Sequence, residues 1–199
     1  MSGHAHYDCM QRWAEAKTIA DLGELGALWL EGEIPSQPGY TENCGPDEET
    51  EHLIPVLARL NRGGFFTTGS QPGGEGETAS NGEWRQRAAV DGFITDDGLL
   101  CRIDDALARV DGLTWVVNTA SWWRDDYRPA EPVTWADGQD YTWFGARLSR
   151  RHLRFPYGET GALPALFGAW QVTVVDLEWG RDDRLWPVLD EALYVGERP

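Results

Sequence analysis

The dipeptide Asp137-Gly138 restricts the fold of this chain more than any other pair of residues. It lies inside the run Val133–Phe144 and marks a tight turn between two extended segments. Both residue types tolerate the positive φ angles that a short hairpin turn requires. A hairpin is antiparallel by construction, yet helical and extended patterns alternate around this one. Within Trp13–Glu31, apolar residues at Ile19, Leu22, Leu25, Trp29 and Leu30 recur at helical spacing, and Gly32 follows as a stop. A second helix opens near Pro46-Asp47 on a run of acids that suits its positive end. It buries Leu53, Ile54, Leu57 and Leu60 and ends at Gly63-Gly64. Pro55 inside that pattern predicts a kink or a late start. Further strands are expected over Phe65–Thr68, Trp84–Ile94, Leu113–Val117 and Val172–Asp176. Further helices are expected over Asp97–Val110, Thr160–Trp170 and Leu185–Tyr194, with residues 145–159 irregular. Interleaved helices and strands plus a hairpin predict an α+β fold, a mixed sheet packed by helices, rather than a doubly wound parallel sheet.

At 199 residues, with no internal repeat or linker, the chain reads as a flexible N-terminus over 1–12 and a single domain over 13–199. The net charge of −16, from 33 acids against 17 bases, disfavours nucleic acid and anionic membranes as partners. It suits a cationic small ligand or a basic protein partner. No run approaches the ~20 apolar residues of a membrane span. The start, MSGHAHYDCMQRW, has no apolar core of a secretory signal. Cys9, Cys44 and Cys101 are far apart and read as reduced thiols, which predicts a cytoplasmic protein.

No nucleophile elbow, zinc-protease motif, P-loop or dinucleotide fingerprint is present. His4, His6 and Cys9 lack a fourth ligand, so no metal site is expected. The acid pairs at 96–97, 104–105, 125–126 and 182–183 read as solvated turns and helix faces, and His52 and His152 as isolated histidines. Trp122-Trp123 reads as buried packing. The arginines 147, 150, 151 and 154 suit an anion or, in so acidic a chain, ion pairs, and the second reading is favoured. One segment stands apart: NRGGFFTTGSQPG runs from a helix end through a short strand into a loop, carrying the hydroxyls of Thr67, Thr68 and Ser70. A polar ligand site and a self-bonded turn both fit those residues.

That segment resembles the C-terminal regulatory domain of eukaryotic methylenetetrahydrofolate reductase. The match runs through Asn61-Arg62-Gly63-Gly64 and then Phe66 to Pro72, which follow the family's Asn-Arg-x-Gly helix end and its Leu-Thr-x-x-Ser-Gln-Pro strand and loop. Glu49-Thr50 matches an acid-threonine pair at the family's separation. LGALWLEGE, QRAAVDGF, Val133-Thr134-Trp135 and the tail VTVVDLEWGRDDRLWPVLDEAL follow in family order, so the likeness spans about residues 22 to 194. A group of small stand-alone bacterial proteins with the same Ser-Gln-Pro-Gly loop is similar too.

The resemblance implies a regulatory-domain-like fold that binds S-adenosylmethionine or S-adenosylhomocysteine. It places ligand contacts on Glu49, Thr50, Thr67, Ser70 and Thr134. Thr142 is a further candidate despite altered spacing after Thr134, and Trp13-Ala14 resembles an N-terminal segment that touches ligand. Trp135 or Trp13 is available to stack on adenine or to face the sulfonium. The family's folate- and flavin-binding barrel has no counterpart here, so reductase activity is not expected. The family dimerises, which implies a homodimer. Three functions compete. The first is a stand-alone S-adenosylmethionine-binding module signalling to a protein partner. The second is an S-adenosylmethionine-dependent methyl or aminocarboxypropyl transferase, or a lyase, with Glu49 or Tyr141 as its base. The third is an acidic interaction or inhibitor protein that has lost the ligand.

Overall fold

The helical pattern at the N-terminus resolves into two helices. A computed structural model describes residues 2–78, 82–119 and 130–194. Helix α1 spans Ser2–Glu15 and α2 spans Ile19–Leu30. Thr18 separates them. Its hydroxyl accepts from the Asp21 N–H at 3.0 Å, and the Asp21 carboxylate accepts from the Thr18 N–H at 3.0 Å. This reciprocal cap starts a new helix at Ile19. Within the stretch 1–12, α1 runs from Ser2 onward, and its Cys9 is buried. Over residues 7–15 only Cys9 and Trp13 are buried, so a polar sequence there carries a narrow edge that meets the core. Pro55 acts as its ring dictates. Glu48–Leu53 is a 3-10 helix, and α3 (Ile54–Arg62) then starts with Pro55 in its first turn, where no N–H is needed.

The α+β class is as the sequence predicts. The strands, however, form two four-stranded sheets, and every pairing among the described residues is antiparallel. The first sheet has the order β1 (Phe66–Gln71), β4 (Ala89–Ile94), β8 (Trp170–Asp176), β5 (Leu113–Thr119). The second has the order β2 (Gly74–Glu77), β3 (Glu83–Gln86), β6 (Glu131–Ala136), β7 (Gln139–Phe144). The expected mixed sheet fails for a specific reason. β4 and β5 run the same way, joined through helix α4 (Asp97–Leu107), but β8 sits between them and pairs antiparallel with both.

The run Trp84–Ile94 is two strands rather than one. At Arg87-Ala88 the chain leaves the second sheet for the first. The Arg87 N–H donates to the Val133 carbonyl of β6 at 2.8 Å, while the Ala88 carbonyl accepts from the Asp176 N–H of β8 at 2.9 Å. Buried Gln71, at the end of β1, locks this junction by donating to the carbonyls of Arg87 (2.9 Å) and Val133 (2.8 Å). The hairpin turn falls on Asp137-Gly138 as expected, both with positive φ.

Helices α2 and α3 pack on β1, and α4 and α7 (Leu185–Leu193) pack on each other and on β4 and β8. The region 145–159 is not irregular throughout. It holds α5 (Arg150–Tyr157), capped by Ser149, and α6 (Leu163–Gly168) follows. Arg150 and Arg154 of α5 lie over the Phe167 ring at 5.0 and 5.7 Å rather than in ion pairs. Trp122-Trp123 and the acid pair at 125–126 lie outside the described residues. No helix among the described residues is long and apolar enough to cross a membrane.

Candidate functional site

Strand β1 is an edge strand, so one side of its backbone is not paired within the sheet. Its pairing with β4 slips at Thr68, which faces no partner residue between the Thr67–Gly92 and Gly69–Asp91 pairs. A bulge of this kind re-aims side chains away from the regular pleat. Along this edge lies a cavity of about 260 Å³, just under the roughly 300–1,000 Å³ usual for small-molecule sites. The residues Thr67 to Gln71 form one wall, and the 3-10 helix supplies Glu49 and Thr50 opposite. The end of α2 and the loop after it supply Trp29, Gln37, Tyr40 and Asp47, and β7 supplies Phe144.

Four of the residues expected to contact ligand therefore meet in one place: Glu49, Thr50, Thr67 and Ser70. They come from two segments separated by a whole helix. α3 sets their spacing, and Asn61 at its end fixes the strand. The Asn61 amide donates to the Thr67 hydroxyl at 2.6 Å and accepts from the Thr67 N–H at 3.1 Å.

The other expected residues are placed elsewhere. Trp13 is fully buried, with its indole N–H donating to the Ser36 carbonyl at 3.0 Å, so it is a core anchor and not a stacking platform. Trp13 and Ala14 border a different cavity beside Arg154 and Glu159. Trp135 lies on the second sheet with the Arg85 guanidinium over its ring at 5.2 Å. Thr142 donates to Thr134 at 2.6 Å, and Thr134 donates to Gln71 at 3.4 Å. The two threonines thus reach the cavity only through Gln71, and they belong to the junction between the sheets. Tyr141 is 66% exposed on the edge strand β7 and does not line this cavity.

The charge of the cavity is one-sided. Among the described residues its lining has two carboxylates, Asp47 and Glu49, and no Arg, Lys or His. Trp29 and Tyr40 meet edge to face at 5.0 Å, with the Trp29 indole N–H held by the Cys44 carbonyl at 3.0 Å. Burial, together with a hydrogen bond to Asp47, pushes the Tyr40 phenol up to about 12, so it stays a neutral donor near pH 7. Carboxylates beside aromatic faces attract a cation.

The hydroxyls are equally telling. Thr50 is 5% exposed, yet its hydroxyl makes no hydrogen bond among the described residues. The same holds for the hydroxyls of Thr68 and Ser70 and for the side-chain amide of Gln37. None of these groups is among the buried polar atoms without a partner, so they keep accessible surface and leave donors and acceptors free along one wall. No group of three or more His, Cys, Asp or Glu among the described residues is arranged to hold a metal ion.

Sequence reasoning missed Trp29, Gln37, Tyr40, Asp47 and Phe144. Trp29 reads as part of an apolar helix face, residues 33–46 as a Pro/Gly-punctuated loop, and Asp47 as an acid at the start of the second helix. Gln37 and Tyr40 reach the cavity because that loop folds back onto the β1 edge. Residues 9–196 match the family described as Domain of unknown function (DUF6919). No curated protein matches the chain in sequence.

Proposed function

The chain belongs to the DUF6919 family, and we propose that it binds S-adenosylmethionine or S-adenosylhomocysteine in the cavity along β1. The observation that carries this reading is the convergence of Glu49, Thr50, Thr67 and Ser70 on one cavity. These are the positions onto which the resemblance to the methylenetetrahydrofolate reductase regulatory domain places ligand contacts. The chemistry of the lining supports it. S-adenosylmethionine carries a sulfonium and an ammonium, which suit Asp47, Glu49 and the Trp29 and Tyr40 rings. Its carboxylate and ribose hydroxyls suit the open hydroxyls of Thr50, Thr68 and Ser70. An interaction protein that had lost its ligand would close the pocket with side chains, whereas this cavity stays open. In this reading the protein is a cytoplasmic binding module, in keeping with the free thiols of Cys9, Cys44 and Cys101.

Titration calorimetry with both ligands tests the proposal. Saturable binding of either one is expected, and none at millimolar ligand would sink it. A charge-assisted contact to Glu49 is worth roughly 1.5–3 kcal/mol, so Glu49→Gln should weaken binding at least about tenfold. Mass spectrometry of the same samples reports turnover, which would move the protein from binding module to S-adenosylmethionine-dependent transferase or lyase.

A further inference from the structure

A second cavity, of about 240 Å³, adjoins the first. Gln37, Tyr40 and Thr68 line both and so form a common wall. The character of the second cavity is different. Its described lining contains no carboxylate, and Phe93, Leu148, Leu153 and Pro156 make it largely apolar away from the common wall. Two polar groups interrupt this apolar part. Tyr157 is 4% exposed and packs edge-on against Phe66 with ring centres 5.9 Å apart. Its hydroxyl makes no hydrogen bond among the described residues. Nor is that oxygen sealed in the protein. Among the described residues, the buried side-chain polar atoms without a partner are Arg87 Nε and Arg150 Nε; the Tyr157 oxygen is not one of them and so keeps open surface. Burial pushes its pKa up, which keeps the phenol protonated and a donor.

The second polar group is His152 at the rim. Its Nδ1 accepts from the Ser149 N–H at 3.3 Å in the cap of α5, which puts the ring proton on Nε2. Gln37, on the common wall, is 8% exposed, and its amide also has no partner among the described residues. A core that needed only packing would place Phe and Leu at 157 and 37. Apolar walls with unpartnered donors on them describe a site for a ligand that is mostly apolar and carries an acceptor.

We propose that this second cavity binds a small, neutral, largely apolar molecule through an acceptor oxygen or nitrogen that takes the hydrogen bond of the Tyr157 hydroxyl. The site is independent of the ligand of the first cavity, and the experiment is run without S-adenosylmethionine, so the two readings fail separately. The probes are acetophenone, which has a carbonyl acceptor, and ethylbenzene, which has a similar shape and none. Ligand-observed NMR titrations would measure both against the intact chain and Tyr157→Phe. The expected result is saturable acetophenone binding that weakens at least fivefold in Tyr157→Phe, with ethylbenzene binding equal in the two proteins. Equal acetophenone affinity in both proteins, or no saturable binding of it to the intact chain, would overturn the proposal. Should Tyr157→Phe fail to fold, Leu153→Trp gives the second measurement, since a larger side chain on the cavity wall must expel acetophenone. Unchanged binding in that variant would equally overturn it.

Discussion

Asn61 and Thr67 are bonded to each other twice, side chain to side chain at 2.6 Å and backbone N–H to side-chain oxygen at 3.1 Å. The Asn61 amide also donates to the Leu57 carbonyl of its own helix at 2.8 Å. One fully buried amide thus ties the end of α3 to the start of the strand that lines the cavity. The same residue sets the approach of α2. A Cβ on Gly23 would stand 2.2 Å from the Asn61 carbonyl oxygen. Asn61→Ala would leave the Thr67 N–H buried and unpaired, and each such group costs about 1–3 kcal/mol. Urea unfolding should show a loss of that order. A loss under about 0.5 kcal/mol, the usual size of a neutral surface change, would remove the clamp from the account.

Thr50 separates binding from folding. Its hydroxyl has no partner among the described residues and Thr50 lines the cavity, so Thr50→Val should leave thermal stability within about 0.5 kcal/mol of the parent. The same variant should weaken S-adenosylmethionine binding about five- to tenfold, the value of one neutral hydrogen bond. A variant that loses stability and keeps affinity would show the hydroxyl to be structural.

Asp91 gives a pH dependence with a definite sign. It sits in β4 opposite Gly69, receives hydrogen bonds from the Thr173 hydroxyl and the Gly145 N–H, and is pushed up to about 6 by burial. A carboxyl with a raised folded-state pKa stabilises the fold in its protonated form. That contribution is complete below about pH 4, the ordinary carboxyl value, and is lost as the pH rises through about 6. Relative to Asp91→Asn, the parent should lose stability across this window, at up to about 1.4 kcal/mol per pH unit. Parallel stability curves for the two proteins between pH 4 and 7 would contradict the assignment.

The ion pair under the second half of the chain should be costly to break. Asp176 is fully buried at the end of β8 and accepts from Arg181 Nε at 2.7 Å and Nη2 at 2.6 Å. Arg181→Ala leaves a buried charge without its partner, a loss of about 3–5 kcal/mol in comparable pairs. Adding Asp176→Asn should restore part of that loss. A double variant as unstable as the sum of its single changes would show that the two residues are not coupled.

Local chemistry made much of this protein legible from its sequence. Helix ends, the Asp137-Gly138 turn and the apolar spacing of α2, α3, α4 and α7 follow from backbone preferences and from which residues leave water. These act over a few positions, so a linear reading sees them. The pairing of Glu49-Thr50 with Thr67 and Ser70 was legible through the resemblance, because a single helix of fixed length holds the two segments together. The break of Trp84–Ile94 at Arg87-Ala88, the second sheet, and the burial of Trp13 were not legible. Each depends on partners more than twenty residues away, Val133, Asp176 and Ser36, whose hydrogen bonds exist only once the chain has closed. The cavity belongs to the same class. Its hydroxyl wall is written in one short segment, but its aromatic and acidic side joins Trp29 at the end of α2 to Tyr40 and Asp47, which come from the chain that folds back onto an unpaired strand edge.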